Sequence, residues 1–96
     1  MSNETELMLQ VKAGNLDCLA PLFERYKIKL FNFFRRMGNS PQQSEDLVQE
    51  TFMRALAYRS SFNGDRGFSC WVYGIARNTA ADLYRKNKPA LQGQEL

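Results

Sequence analysis

The sequence predicts an all-α protein, a compact bundle of about four helices with a loop before the last helix. Apolar residues recur mostly at the 3.6-residue period of amphipathic helices, whereas strand-like alternation is not sustained and β-branched residues are sparse. A chain of 96 residues is long enough for one domain with a single modest core. It contains no apolar run near the roughly 18 residues that a membrane span requires.

The N-terminal part predicts a short helix followed by a long one. The first helix is expected from about Thr5 to Ala13, and Gly14 suits its C-terminal stop. Its candidate core residues are Leu7, Leu9 and Val11. Asn15 or Asp17 can cap the second helix, which should reach about Met37.

The second helix combines a wide apolar face with several basic residues. Its apolar side chains follow i, i+3, i+4 spacing and are Leu19, Leu22, Phe23, Tyr26, Leu30, Phe33 and Phe34. Pro21 falls within the first turn or two, where its missing N–H costs least. The aromatic residues alternate with Lys27, Lys29, Arg35 and Arg36, and such a mixture can bind a single strand of nucleic acid. At helical spacing, however, a core face opposite a solvated basic face is the favoured interpretation.

Strong boundary signals precede the third helix. Gly38 ends the second helix, Ser40 is a candidate N-cap, and Pro41 suits the first helical position. Gln43 can complete a capping box with Ser40. The third helix is then expected to run to about Arg59.

The third helix has two opposite faces. At 100° per residue, one face holds the predicted core residues Val48, Thr51, Phe52 and Ala55. The other face carries a stripe formed by Asp46, Gln49, Glu50 and Met53, called the acidic stripe below. Such a stripe is commonly a solvated surface. The functional interpretation is a docking surface for a basic or helical partner, with Met53 as an adaptable apolar contact.

A loop and a fourth helix hold the main candidates for a binding site. Residues 60–67 contain Asn-Gly and Gly67, which suit unusual backbone angles. The helix is predicted from about Phe68 to Lys86, with a core face formed by Phe68, Val72, Ile75, Ala76, Thr79 and Leu83. One edge of that face carries Trp71, Asn78, Asp82 and Arg85. Further round, on the outside, we expect Tyr73, Arg77 and Tyr84.

The outer surface of the fourth helix is hard to explain by packing alone. Asparagine is a weak helix former, so Asn78 in the middle of a helix costs about a few tenths of a kcal/mol relative to alanine. Tyrosines beside arginines form a combination that stacks bases and holds phosphates. The alternative is that Trp71 and one tyrosine close the bundle against the second helix.

Charge and residue types limit the possible functions. Residues 1–53 contain six Lys/Arg and seven Asp/Glu, and residues 54–96 contain seven and three. The basic second half permits a phosphate-binding surface, although an ordinary solvated surface explains the charge equally well. The chain has no histidine and no second cysteine at ligand spacing, so we expect no metal, no cofactor and no enzyme active site. Cys18 and Cys70 could pair in principle, but reduced thiols in a cytoplasmic protein are expected.

Two segments carry motifs of a known family. EDLVQETF, residues 45–52, is similar to a D-x-x-Q-E-x-F signature. FSCWVYGIARNTAADLYRK, residues 68–86, is similar to F-x-x-W-hydrophobic-x-x-I-A-x-N followed by D-x-x-R-R, with Lys86 in the last place. In this order and spacing, with a Gly/Asp loop between them, the segments resemble region 2 of bacterial sigma-70 factors of the extracytoplasmic-function (ECF) group. The resemblance covers about Leu7 to Lys86.

The resemblance implies a function for each surface. In the family the D-x-x-Q-E helix docks on the clamp helices of the RNA polymerase β′ subunit, which here implies contacts by Asp46, Leu47, Gln49, Glu50 and Met53. The loop and the following helix recognise the promoter −10 element and capture an unpaired base of the non-template strand. That base pocket would be formed or bordered by Asn63, Gly64, Asp65, Arg66 and Phe68. The DNA path would be lined by Trp71, Tyr73, Arg77, Asn78 and Asp82, and the DNA backbone held by Arg85 and Lys86.

Residues 1–88 are therefore expected to form the promoter −10 and polymerase-binding domain, and residues 89–96 to begin a linker or tail. Members of the family carry a second domain that reads the −35 element, so we expect this chain to be a domain cut from a longer protein. An anti-sigma factor is a further partner that the resemblance implies. The competing interpretation is a helical interaction module that binds only protein and has no DNA affinity.

Overall fold

The computed structural model describes residues 2–86, which form four α-helices: α1 (Asn3–Lys12), α2 (Leu19–Arg36), α3 (Pro41–Ala57) and α4 (Gly67–Lys86). Two short 3₁₀ turns, Leu16–Cys18 and Arg59–Ser61, precede α2 and follow α3. The described part of the chain contains no strand. The predicted all-α class and its four helices are confirmed, and the expected tail at 89–96 lies outside the described residues.

The start of α3 confirms the capping box. The Ser40 hydroxyl accepts a hydrogen bond from the Gln43 backbone N–H at 3.1 Å, and the Gln43 side-chain oxygen accepts one from the Ser40 N–H at 3.0 Å. Pro41 occupies the first helical position, as expected. Gly38 follows α2 with a φ of +99°, a backbone angle that residues with side chains rarely adopt.

The start of α2 differs from the prediction. Neither Asn15 nor Asp17 caps it, because the chain first makes the Leu16–Cys18 turn and enters the helix after Cys18, without a side-chain capping bond. Pro21 is consequently the third residue of α2. In that first turn its missing N–H removes no intrahelical hydrogen bond, so the helix continues unbroken to Arg36.

The core lies where α2, α3 and α4 meet, and α1 packs against both α2 and α4. In α1 the prediction needs correction: Met8 and Val11 are fully buried, whereas Leu7 and Leu9 are only partly buried. Residues 8 and 11 are three apart and share one side of the helix, and the two leucines flank that side. The predicted core face of α3 is confirmed, since all four of its residues are buried.

A polar link holds α1 against α2. The Tyr26 hydroxyl donates a hydrogen bond to the Glu4 carboxylate at 2.8 Å, and an Arg25 nitrogen lies 3.4 Å from the other Glu4 oxygen. Burial raises the pKa of the Tyr26 phenol above its usual value, which keeps the hydroxyl protonated and able to donate. This attachment fixes the N-terminal end of α1 on α2.

Candidate nucleic-acid interface

The loop before α4 is anchored at its first residue. The Phe62 ring is buried, with 1% of its surface exposed, although it lies between two surface segments. The Lys12 ammonium of α1 donates a hydrogen bond to the Phe62 carbonyl at 2.7 Å. A charge-assisted bond of this kind is stronger than a neutral one, so α1 fixes the position where the loop begins.

The middle of the loop is shaped by a local turn. The Asn63 side-chain oxygen accepts a hydrogen bond from the Asp65 backbone N–H at 3.0 Å, which forms an Asx turn. Gly64 lies inside it with a φ of +84°, and a Cβ added there would be 3.2 Å from the Thr5 methyl group. Both the backbone angle and the close approach to α1 therefore favour glycine.

Loop and helix together enclose a pocket of about 420 Å³, called the loop pocket below. This volume falls in the range of roughly 300 to 1,000 Å³ that is usual for small-ligand sites. The pocket brings together six of the predicted DNA-binding residues: Asn63, Gly64, Asp65, Arg66, Trp71 and Arg77. Its other lining residues are Ser61, Phe62, Gly67, Cys70 and Gly74. It thus combines the Trp71 indole, two guanidinium groups, the Asp65 carboxylate and the Asn63 amide, whose oxygen is engaged in the Asx turn.

Trp71 is held in a defined orientation at the pocket wall. Its indole packs edge-on against Phe62, with ring centroids 5.2 Å apart, and lies 6.1 Å from the Phe68 ring. The indole N–H points to the Ser61 hydroxyl, 3.4 Å away. A half-buried ring fixed in this way loses little conformational entropy when a base stacks on it.

Of the predicted DNA-binding residues, Phe68 belongs to the core and Tyr73 packs against it. Phe68 is 1% exposed, so it offers no surface to a ligand. Its ring lies between the core and Trp71, with its centroid 5.3 Å from that of Tyr26. Tyr73 was expected on the outside, but it is half-buried, with its ring 5.2 Å from Phe33 and 6.4 Å from Tyr26. The Tyr73 ring covers the aromatic rings of Tyr26 and Phe33 on this side of α2. The tyrosine, and not Trp71, closes the bundle against α2.

The C-terminal half of α4 forms a separate concave surface. A second pocket of about 360 Å³ contains Asn78, Asp82 and Arg85 of α4 together with Arg54 and Tyr58 from α3 and its end. Asn78 is exposed, and Tyr58 is 55% exposed. The predicted line of Trp71, Asn78, Asp82 and Arg85 is thereby divided between two pockets. Tyr84 is exposed, as predicted.

Asp82 is engaged within the protein. Its two carboxylate oxygens accept hydrogen bonds from Arg54, at 2.8 Å, and from Arg85. The Arg54 guanidinium holds the pKa of the Asp82 carboxyl below its usual value, so the group stays ionised and neutralised. A carboxylate paired in this way does not repel a nearby phosphate as strongly as a free one would.

The acidic stripe on α3 is exposed as predicted. Asp46, Gln49, Glu50 and Met53 are all at the surface, and Met53 is 67% exposed. Leu47 is different: only 4% of it is exposed, because it lies next to Val48 on the buried side of the helix. Leu47 contributes to the floor of a groove of about 370 Å³ between α3 and α4, whose wall includes Lys86.

Sequence reasoning missed several residues of the interface. Arg54 could have been found, since Glu50 and Arg54 have the i, i+4 spacing of a helical ion pair. Lys12 carries no local signal, because its partner Phe62 is fifty positions away. Gly74 could have been found, since it is a glycine inside a predicted helix. A Cβ added to it would meet nothing within 4 Å, and glycine in a helix costs about 1 kcal/mol relative to alanine.

Comparison with known proteins decides the family. The sequence profile of the family described as Sigma-70 region 2 matches residues 22–90. The chain belongs to this family. The matched segment contains α3, the loop pocket and α4, so the family relationship covers both candidate surfaces.

Curated relatives of this sigma-70 region 2 chain are named as ECF sigma factors. It is 41% identical over 80 residues to the ECF RNA polymerase sigma factor SigW of Bacillus subtilis. The aligned segment covers 83% of the chain and 43% of the relative. It is 31% identical over 88 residues to the ECF RNA polymerase sigma factor BldN of Streptomyces coelicolor, covering 91% and 33%. The chain spans less than half the length of these relatives. No solved structure gave a significant match.

Between residues 2 and 86, no group of three or more His, Cys, Asp or Glu residues could hold a metal ion. Over the same residues, no helix is long and apolar enough to cross a membrane. Cys18 and Cys70 do not pair: Cys18 is half-buried, and Cys70 is exposed at the loop pocket.

Proposed function

We propose that this domain serves transcription initiation in the cytoplasm, by binding RNA polymerase through the acidic stripe and capturing promoter bases in the loop pocket. The observation that carries the proposal is the convergence of loop and helix on one pocket, in which Trp71 lies beside Arg66 and Arg77. Membership of the sigma-70 region 2 family supports the assignment of the partners, namely the polymerase β′ clamp helices and the −10 element.

Base capture fits the chemistry of the loop pocket. Extruding a base from a duplex costs about a few kcal/mol, and stacking on an aromatic side chain returns about 1 to 3 kcal/mol per base. The Trp71 indole provides the stacking surface, and the Asn63 amide and the loop backbone provide hydrogen-bonding groups. No covalent bond is made by this domain, since its task is to hold DNA in an open form while the polymerase catalyses synthesis.

The basic side chains around the pocket suit the DNA backbone. Arg77 lines the loop pocket, Arg85 lines the second pocket, and Lys86 lies at the groove beyond it. Contacts between such side chains and phosphates position a strand without reading its sequence. We infer that the strand follows α4 from the loop pocket towards Lys86, with the base in the loop pocket supplying the specificity.

Docking on polymerase fits the exposed stripe. Asp46 and Glu50 give it negative charge, Gln49 adds an amide, and Met53 presents a flexible thioether that adapts to an apolar partner surface. Charges at the edge of an interface mainly set the rate and specificity of association. Leu47 is buried beneath the stripe, so we do not propose a direct polymerase contact for it.

Two binding measurements test the proposal. The 96-residue chain is titrated, at one fixed low salt concentration, into single-stranded oligonucleotides covering a panel of −10 sequences and a scrambled control. We expect at least a fivefold spread in affinity, the equivalent of about 1 kcal/mol. Equal affinity for all oligonucleotides would contradict base-specific capture, and no measurable affinity for any of them would support the alternative, a helical module that binds only protein.

The polymerase contact is tested separately with core enzyme. Asp46→Arg should weaken binding to polymerase about tenfold or more, because a like charge replaces a complementary one. Its affinity for single-stranded DNA should be unchanged or slightly higher. Glu6→Arg serves as the matched control, since Glu6 is an exposed acidic residue of α1 outside the stripe. Equal loss of polymerase binding in the two variants would contradict docking through the stripe.

A further inference from the structure

A bare patch of helix backbone lies in the wall of the loop pocket. Gly74 is the eighth residue of α4 and does not have a positive φ. A Cβ placed on it would meet no atom within 4 Å. Neither the backbone conformation nor the packing of the domain therefore requires glycine at this position, which is the middle of the longest helix of the described chain.

A side chain at position 74 would point into the loop pocket. Every Cα–Cβ bond of an α-helix tilts towards the N-terminus, so this side chain would lean over the turn that carries Cys70 and Trp71. Both of these residues line the pocket, and Arg77 borders it from the following turn. The space left by Gly74 is consequently part of the ligand cavity.

We propose that Gly74 is a specificity-determining residue, whose missing side chain lets a captured nucleobase lie against α4 between the Trp71 indole and the Arg77 guanidinium. This inference rests on the proposed function and adds one residue to it. A flat base suits the place because an indole and a guanidinium both bind the faces of π-systems. The backbone N–H and C=O groups around Gly74 are engaged in the hydrogen bonds of the helix. The bare patch therefore offers a bound base van der Waals contact alone.

The inference has a consequence for base size. Any side chain at position 74 takes volume from a pocket of about 420 Å³. A purine fills more of that volume than a pyrimidine does. Gly74→Ala should therefore weaken the binding of a captured purine more than that of a captured pyrimidine, and Gly74→Leu should weaken both strongly.

The experiment compares base preference with stability in the same variants. Single-stranded oligonucleotides in which each position of the −10 panel is A, G, C or T in turn are titrated with the wild-type chain and with Gly74→Ala. We expect affinity at the captured position to fall about fivefold or more for purines and less for pyrimidines. The midpoint of thermal unfolding should rise by about 4 to 8 °C, because alanine is the better helix former.

Asn32→Ala is the matched control. Asn32 is exposed in α2 and does not line the loop pocket. Its replacement by alanine also improves helix propensity. Its oligonucleotide binding should equal that of the wild type. If Gly74→Ala binds every oligonucleotide like the wild type, or loses purines and pyrimidines equally, the inference is overturned and the proposed function stands. A wild-type chain without any base preference overturns both.

Discussion

Arg54 of α3 and Asp82 of α4 form an ion pair, with 2.8 Å between the Arg54 Nη1 and Asp82 Oδ2 atoms. The same guanidinium binds Glu50 of the acidic stripe through Nε, at 3.1 Å. Asp82 in turn accepts a hydrogen bond from Arg85. A continuous network of charges thus joins the proposed polymerase surface to the proposed DNA path.

Removing the centre of this network should loosen α3 from α4. Arg54→Ala is expected to lower the midpoint of thermal unfolding by about 2 to 5 °C, because it removes two partly exposed ion pairs, each of which contributes little. Calorimetry of the purified chain measures the shift. Lys27→Ala is the control, since the Lys27–Glu24 pair joins neighbouring turns of a single helix and is exposed. Shifts of the same size in both variants would contradict a bridging role for Arg54.

The network should also make stability depend on pH in the acid range. The folded-state pKa of Asp82 is lowered, so its contribution to stability is present above the ordinary aspartate value of about 3.9 and is lost as the pH falls through the folded-state pKa. Wild type should unfold at a higher temperature than Asp82→Asn at neutral pH. That difference should shrink below about pH 3.9. A difference that is constant down to the acid limit would refute the assignment.

The bond between Lys12 and the Phe62 carbonyl should control the order of the loop pocket. Lys12→Met keeps the aliphatic stem and removes a charge-assisted hydrogen bond of 2.7 Å. A bond of this kind contributes roughly 1.5 kcal/mol, so hydrogen exchange of the amides of residues 62–66 should be about tenfold faster. Lys29→Met removes the same charge from α2, where the ammonium lies over the Tyr26 ring, and should leave the loop amides unchanged.

Tyr73 and Arg77 should separate stability from binding. Tyr73→Ala removes ring contacts with Phe33 and Tyr26 and should cost about 2 kcal/mol in the free energy of unfolding, less than a fully buried ring would. Tyr73→Phe should change neither stability nor oligonucleotide affinity by much.

Arg77→Ala should weaken oligonucleotide binding and reduce its salt dependence without lowering stability. Urea titration and anisotropy measure the two quantities.

Local chemistry explains why much of the fold could be predicted. The capping box at Ser40 and Gln43 depends on two residues three positions apart, and it has the expected geometry. The opposite faces of α3 also followed from helical periodicity. In α1, by contrast, the alternation of Leu7, Leu9 and Val11 was misleading, because the buried side is chosen by how the helix lies against α2 and α4.

The candidate site was predictable only where its parts are near in sequence. Loop and α4 are consecutive, so the meeting of Asn63, Asp65 and Trp71 follows from the chain itself. The position of Tyr73 depended on an aromatic surface of α2 some forty residues earlier, which periodicity within α4 does not reveal. The contacts of Arg54 with Asp82 and of Lys12 with Phe62 likewise join elements that are distant in sequence.

Trp71 is the single tryptophan of the sequence, and it lies in the wall of the loop pocket. The domain therefore carries its own optical probe at the place where a base is proposed to bind. Stacking of a nucleobase on the indole should quench its fluorescence, without any attached dye. Loosening of the loop should instead shift the emission to longer wavelength, as the ring becomes more hydrated. Intensity and wavelength would then report occupancy and loop order as two separate signals.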